Sequence, residues 1–135
     1  MMMWRGSAAI CINEKDEILM VAQEKPNEPE LWSVPSGGVE ENETFEECCA
    51  REVWEETGYR IKVINKVRER DGITYKVDVH VKYFKVQLIG GEKKIQDPDQ
   101  LILDISWIPI SKISEIKMLY EEEREILQNY LQGRN

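Results

Sequence analysis

The chain has 135 residues, of which 41% are hydrophobic and 33% charged, and it carries a net charge of −8 at pH 7. That length is enough for one domain with its own core, so we expect residues 1–135 to form a single domain. An acidic chain gains nothing from counterion release on a nucleic-acid backbone, so duplex DNA or RNA is not expected as a partner. No apolar run is long enough to span a bilayer. The first residues lack the apolar core of a signal peptide, which predicts a cytoplasmic protein without a membrane partner.

The N-terminal part of the chain shows short apolar runs separated by polar segments, a pattern typical of strands. Residues 7–12 and 18–22 are two such runs, and the polar turn between them predicts that they pair as a hairpin. Residues 23–30 carry two prolines among charged residues and predict a loop. Residues 31–35 alternate apolar and polar side chains up to a proline, which predicts a short strand leading into a Gly-Gly pair.

A helix is predicted over residues 45–57, where good helix formers occur without proline. Thr44 is a suitable N-cap, and Glu47 follows three residues later, where its carboxylate can reach back to the N–H of the cap residue. Gly58 stands where a helix usually ends in a left-handed turn. The helix therefore has a defined start and a defined end in the sequence.

Three glutamates of this helix project toward one region of its surface, because Glu55 and Glu56 follow Glu52 by three and four residues. Unpaired carboxylates on one face repel each other, and a hard divalent cation such as Mg²⁺, Mn²⁺ or Ca²⁺ would remove that repulsion. Arg51 lies beside them, where it can orient a carboxylate or neutralise a phosphate, and Glu43 is a candidate partner for it. A solvated acidic helix face is the alternative, since runs of charge usually face solvent.

Beyond this helix, strands dominate until the C-terminus. The predicted elements are a strand at 61–67, a turn at Asp71–Gly72, a strand at 73–88, a strand at 101–107, a short helix from Ser111 and a helix at 119–131. The fold class is therefore α+β, with a mixed sheet packed between helices. The three cysteines are interpreted as buried apolar residues, and the single histidine, His80, as a strand residue.

The spacing from Gly37 to Tyr59 matches G-x5-E-x7-R-E-U-x-E-E-x-G-U, where U is a bulky apolar residue. Val53 occupies the first U position and Tyr59 the last, where an aliphatic residue is more usual. This stretch resembles the Nudix box, the signature of the Nudix hydrolases. The resemblance implies a three-layer α/β/α sandwich with a mixed central sheet, and the predicted order of elements is compatible with that fold over essentially the whole chain.

The resemblance also implies a reaction. Nudix enzymes hydrolyse a nucleoside diphosphate linked to another moiety, usually with Mg²⁺ or Mn²⁺, by attack of water on one phosphorus of a diphosphate bridge. By position in the motif, the carboxylates of Glu52, Glu55 and Glu56 would hold the metal. A backbone carbonyl of the glycine loop (residues 36–38) would join them, from Ser36 or Gly37. Arg51 resembles the arginine that orients the glutamates, with Glu43 as its partner. Glu52 or Glu55 is the expected general base.

One departure from the family pattern concerns the strand before Trp107. Many Nudix enzymes carry a glutamate six residues before such a tryptophan and use it as an extra ligand or base, and here that position is Leu101. Asp97, Asp99 and Asp104 are candidate replacements. If none of them serves, the enzyme is slow or depends wholly on the box.

Candidate contacts to the substrate are Gly38, Trp32 and Tyr75. Dinucleoside-polyphosphate hydrolases often show a tyrosine downstream of the box, and ADP-ribose pyrophosphatases a proline. Tyr75 lies near that position, and no proline occurs between the box and Pro98, which favours a dinucleoside polyphosphate or a nucleoside triphosphate. Trp32, Tyr75 and Tyr83 are candidates for stacking on a base, although each is more readily explained as a strand or core residue.

Two other functions are open. A protein of the same fold could sense a nucleotide without hydrolysing it. The intact Arg51-Glu52 and Glu55-Glu56 pairs favour the enzyme, whereas Leu101 favours the sensor. A protein-interaction domain could use the acidic run Glu121–Glu123, which is otherwise interpreted as a solvated helix start where acids suit the helix dipole. Homodimers are common in the family, and nothing in the chain decides the oligomeric state.

Overall fold

The computed structural model describes residues 3–74, 76–96 and 102–134. In chain order the elements are β1 (Met3–Cys11), β2 (Glu17–Lys25), β3 (Glu28–Ser33), β4 (Ser36–Gly38), α1 (Phe45–Thr57), β5 (Tyr59–Thr74), β6 (Val77–Gly91), β7 (Asp104–Pro109), a 3₁₀ turn (Ile110–Lys112) and α2 (Glu121–Gln132). Within these ranges, neither helix has the length and apolar character needed to cross a membrane.

The strands form two sheets. The larger has the order β4-β1-β6-β5 and the smaller the order β3-β2-β7. β1 runs parallel to β6 and antiparallel to β4, and the remaining pairs of these strands are antiparallel. The prediction of a mixed sheet is confirmed.

Successive residues of β1 pack into different cores, because side chains alternate across a strand. Ala9 belongs to a core that includes Val53 of α1, and Ala8 to a core that includes Leu127 of α2. The two helices therefore cover opposite faces of the larger sheet. The α+β class and the α/β/α sandwich are both confirmed.

The boundaries of α1 follow from its capping residues, as predicted. The Thr44 side chain accepts a hydrogen bond from the Glu47 N–H, and the Glu47 carboxylate accepts one from the Thr44 N–H, which completes a capping box. At the other end Gly58 has a φ of 81°, the left-handed region in which glycine is favoured. Tyr59 then enters β5 and packs edge-to-face on Trp107, whose Nε1 donates to the Tyr59 hydroxyl at 3.1 Å. This contact accounts for an aromatic residue at the last position of the box.

The predicted hairpin between residues 7–12 and 18–22 forms only at its turn, and the other residues of the two runs do not pair with each other. β1 pairs with β4 and β6, β2 pairs with β3 and β7, and an isolated bridge between Ile12 and Ile18 links the two strands. Most residues of both runs are buried, whichever face of the strand their side chains lie on. Such runs occupy the interior of a sheet, and here each lies inside a sheet of its own.

Two predicted turns or loops are also partly strand. Residues 23–30 include the end of β2 and the start of β3, joined by a tight turn in which Asn27 has a φ of 67°. Pro29 is tolerated because β3 is an edge strand. Asp71 and Gly72, predicted as a turn, pair with residues of β6, and the chain turns near Lys76, which has a φ of 65°. Continuous pairing with β6 outweighs the local turn preference.

The prediction of a solvated start for the last helix is wrong at one position. Glu121 and Glu122 are exposed, but Glu123 has a relative exposure of 1%. Its carboxylate accepts hydrogen bonds inside the protein, from the Val34 N–H and the Tyr83 hydroxyl. Burial of this carboxylate depends on partners that are distant in the sequence.

Candidate active site

Arg51 is the centre of a network of charged side chains on α1 and the segment before it. Its guanidinium pairs with Glu43 through two hydrogen bonds, from Nε to Oε2 at 2.7 Å and from Nη2 to Oε1 at 2.9 Å. Glu43 also accepts from the Glu40 N–H at 2.9 Å, and Glu40 Oε1 lies 3.4 Å from Arg51 Nε. This bidentate geometry is the strong form of a charge-assisted hydrogen bond, and it holds residues 40–43 against α1.

The other donors of Arg51 reach the box glutamates and the glycine loop. Nη1 donates to Glu52 Oε1 at 2.6 Å and to Glu55 Oε1 at 3.2 Å, and Nη2 donates to the Gly38 carbonyl at 2.8 Å. Glu55 is within reach because it lies one helical turn after Arg51. One guanidinium therefore orients two glutamates against the backbone of β4.

The glycine loop lies so close to α1 that a side chain does not fit between them. A Cβ atom added to Gly37 would overlap the Glu52 carboxylate. The Ser36 N–H donates to Glu56 Oε1 at 3.1 Å, and the Cys48 thiol donates to the Gly37 carbonyl at 3.4 Å. Close approach of backbone to a functional carboxylate is a physical reason for glycine at this position.

The charges of the network are strongly coupled. The hydrogen bond from Arg51 lowers the pKa of Glu43 below its usual range, and the hydrogen bond to Glu43 raises the pKa of Arg51. Both groups are therefore charged at neutral pH. Because Glu52, Glu55 and Glu56 lie on the same side of the helix, carboxylates outnumber the guanidinium, and the site attracts cations.

An oxygen-rich, acidic site of this kind fits a hard divalent cation. The glutamates Glu52 and Glu56 also lie directly against the backbone of Ser36 and Gly37. Among the residues that the structure describes, however, no three His, Cys, Asp or Glu side chains are already arranged as a group that could hold a metal ion. Glu52 and Glu55 each accept a hydrogen bond from Arg51 through Oε1.

The cysteines have no nucleophilic role in this network. All three are free and buried, as predicted. Burial raises the pKa of the Cys48 thiol to about 11 and that of Cys49 to about 12. Since the thiolate is the reactive form, these thiols are inert at neutral pH.

Other predicted residues lie elsewhere. Trp32 is half-buried and packs against the core beneath α2, and Asp104 is exposed at the start of β7, 4.0 Å from Lys93 Nζ. His80 lies in β6, as predicted, and Tyr83 of the same strand has a relative exposure of 1%, so it is not placed to stack on a base. Four further residues of interest fall outside the described part of the chain: Tyr75, Asp97, Asp99 and Leu101.

Sequence reasoning missed two residues beside the network. Glu40 reinforces the Arg51–Glu43 pair, and its place three residues before Glu43 is a weak signal for that role. Trp4 lies over the glycine loop, where a Cβ on Gly38 would come within 3.0 Å of the indole Nε1. Trp4 remains 42% exposed. The alternation of Trp4 and Gly6 on one face of β1 is the signal that could have located it.

The fold and the network define an α/β/α protein with an acidic, oxygen-rich site between a glycine loop and one helix. The family model of the NUDIX domain matches residues 2–130. The chain is 33% identical over 102 residues to the "Putative mutator protein MutT4" of Mycobacterium tuberculosis, covering 73% of the chain and 40% of that protein. It therefore belongs to the Nudix family.

The chain is also similar to a second curated protein and, in its fold, to a solved structure. The chain is 38% identical over 88 residues to the "Putative 8-oxo-dGTP diphosphatase" of Bacillus subtilis, covering 65% of the chain and 56% of that protein. A solved structure of a NUDIX hydrolase from Nitrosomonas europaea superposes with a TM-score of 0.84 at 19% identity, covering 97% of the chain and 90% of that structure. The chain thus spans 40% and 56% of the length of the two relatives matched by sequence. Nudix hydrolases in general use divalent cations.

Proposed function

We propose that this protein hydrolyses a diphosphate bond in a nucleoside diphosphate derivative and that it requires a divalent cation. The observation that carries the proposal is the Arg51 network, which draws Glu52 and Glu55 of α1 to the glycine loop. A structural ion pair would need one carboxylate partner for the arginine. Here the guanidinium binds the carboxylates of Glu43, Glu52 and Glu55. The carboxylates outnumber its single positive charge, and they can serve as metal ligands and as a general base.

The residues proposed to hold Mg²⁺ or Mn²⁺ are Glu52, Glu55 and Glu56, with a backbone carbonyl of Ser36 or Gly37. A cation bound there polarises phosphoryl oxygens and lowers the pKa of a water molecule. Arg51 keeps the glutamates oriented and offsets negative charge near the phosphates, and Glu43 holds Arg51 in place. A carboxylate oxygen of Glu52 or Glu55 accepts the proton of the attacking water.

The substrate class that we propose is a nucleoside triphosphate, with dinucleoside polyphosphates next. A relative named as an 8-oxo-dGTP diphosphatase supports the first, so oxidised purine nucleotides belong in the first test. Gly38, through its backbone, and Tyr75 are the proposed contacts to the substrate, whereas Trp32 packs against the core beneath α2. A diphosphate linkage flanked by a nucleoside is the feature common to all of these substrates.

The experiment that tests the proposal measures phosphate or pyrophosphate release from a panel of nucleotides, with Mg²⁺, Mn²⁺ or EDTA. The panel contains NTPs, 8-oxo-dGTP, dinucleoside polyphosphates, ADP-ribose, NADH and nucleotide sugars. We expect turnover of NTPs or dinucleoside polyphosphates that EDTA abolishes. Turnover that persists in EDTA, or in Glu56→Gln at the wild-type rate, would overturn the proposed metal site.

A nucleotide-binding protein without turnover is the second candidate. It is favoured by one observation, that the box carboxylates bind Arg51 and form no ready-made metal group in the described part of the chain. Binding of a nucleotide detected by thermal shift, without hydrolysis of any member of the panel, would support this function over the enzyme.

A further inference from the structure

A buried carboxylate lies on the opposite side of the sheet from α1, in the first turn of α2. Glu123 has a relative exposure of 1%, and both of its oxygens accept a hydrogen bond. The Val34 N–H donates to Oε1 at 2.8 Å, and the Tyr83 hydroxyl donates to Oε2 at 2.7 Å. Charged side chains are almost never this buried unless they are paired or hydrogen-bonded. The carboxylate therefore joins three elements: α2, β6 and the segment between β3 and β4.

Stability alone does not explain a glutamate at this position. Replacing a buried charged group by an apolar residue of similar size is often neutral or stabilising. Burial raises the pKa of Glu123 to about 7, while the hydrogen bonds from Tyr83 and Val34 and the charge of Arg70 oppose that rise and Glu122 adds to it. The protein thus keeps a carboxylate where ionisation is unfavourable, which points to a specific use.

The segment held by Glu123 leads directly into the candidate active site. Before it, Trp32 exchanges two backbone hydrogen bonds with the chain ahead of α2, to the Lys117 carbonyl at 2.9 Å and from the Leu119 N–H at 2.8 Å. Two residues later, Val34 donates to Glu123. The chain at the end of β3 is therefore held at two alternate residues, Trp32 and Val34, by the start of α2 and the segment before it.

After Val34 the same segment binds the other side of the protein. The Pro35 carbonyl accepts from the Ala9 N–H at 3.0 Å, and the Ser36 N–H donates to Glu56 Oε1 at 3.1 Å. Only one residue separates Val34 from Ser36. A shift of Val34 therefore displaces the backbone group that contacts Glu56.

We propose that Glu123 is a positioning residue, which holds the Val34–Ser36 segment so that the glycine loop meets the box glutamates in working geometry. This role rests on the proposed function of that loop. It adds that the loop needs Glu123, on the opposite side of the sheet, to keep its geometry. Glu123 does not contact substrate, because it is enclosed by protein. Misplacement of a catalytic group by about 1 Å can reduce a rate by about 100-fold, so a remote carboxylate can set the rate in this way.

The first test does not depend on activity. Amide hydrogen exchange is measured by NMR in the wild type, in Glu123→Leu and in Tyr83→Phe. Leucine keeps the volume of the side chain but leaves the Val34 N–H without an acceptor, and Tyr83→Phe removes one donor but keeps Glu123 available to Val34. The amide of Val53, in the middle of α1, is the internal reference for global opening.

In Glu123→Leu we expect the Val34 and Ser36 amides to exchange at least about tenfold faster relative to Val53, with a smaller effect in Tyr83→Phe. Glu125→Gln removes one carboxylate from an exposed position of the same helix and should leave both amides at the wild-type rate. Faster exchange at Val34 with an unchanged Ser36 would overturn the proposal, as would no change at either amide.

The second test separates positioning from folding. At saturating cation, Glu123→Leu should lower kcat about tenfold or more with little change in KM, even if its melting temperature equals or exceeds that of the wild type. An unchanged kcat in a folded Glu123→Leu protein would refute the positioning role. If the wild type itself hydrolyses nothing, the proposed function fails, and the exchange experiment still decides the role of Glu123.

Discussion

Replacing Glu123 with glutamine should change how the stability of the protein depends on pH. Burial raises the pKa of this carboxyl from its ordinary 4.5 to about 7. The folded state therefore binds the proton more tightly than the unfolded state. This group contributes stability that is complete below the unfolded pKa and is lost as the pH rises through the folded pKa.

The size of the effect follows from the two pKa values. Between about pH 5.5 and pH 8, the wild type should lose about 2 kcal/mol of unfolding free energy through this group alone. Glutamine does not titrate, so Glu123→Gln lacks this contribution. The difference in stability between wild type and variant should therefore shift by about 2 kcal/mol in favour of the wild type on acidification.

The assay is urea unfolding of both proteins at several pH values in this range. A shift of this size moves the urea midpoint of the wild type relative to the variant by about 1 M. Glu125→Gln makes the same chemical change at an exposed position of α2 and controls for the loss of one negative charge. Unfolding free energies of wild type and Glu123→Gln that stay parallel across the range would show that Glu123 does not titrate as argued.

Three further predictions concern the box. Glu56→Gln should reduce metal-dependent turnover at least about 100-fold without loss of the folded state by circular dichroism; a wild-type rate would remove Glu56 from the proposed ligands. Gly37→Ala should displace the Glu52 carboxylate and lower kcat at least about tenfold, while Gly90→Ala, where a Cβ has nothing within 4 Å, should be silent; equal activity of the two variants would contradict the close approach. Arg51→Lys cannot reproduce the two-pronged pair and should cost about 1–3 kcal/mol in thermal or urea unfolding; an unchanged stability would show that the network contributes little to folding.

The parts of the structure that the sequence predicts well are those specified by neighbouring residues. The start and end of α1 depend on Thr44, Glu47 and Gly58, all within one turn of the helix ends. The convergence of Glu52 and Glu56 depends on helical periodicity alone. These features can be predicted from neighbouring residues without knowing the rest of the fold.

The predictions that failed depend on partners far away in the sequence. Asp71 and Gly72 have a strong turn preference, yet they lie in β5 because β6 pairs with them. Likewise, an acidic helix start is fully explained by the helix dipole, and nothing near Glu123 indicates that Tyr83 and Val34 bury it. Long-range pairing decides both outcomes, and a single sequence does not show it.

The position of β4 at the edge of the larger sheet has a consequence for how the protein is made. All box residues lie within one short stretch of chain, but β4 is three residues long and pairs with β1, whose other neighbour is β6. During synthesis the ribosome releases the whole box before β6 has emerged. The nascent chain therefore carries the complete motif before β6 can pair with β1 and complete the larger sheet. For the same reason, grafting the box alone onto another scaffold would transfer its residues without transferring their geometry.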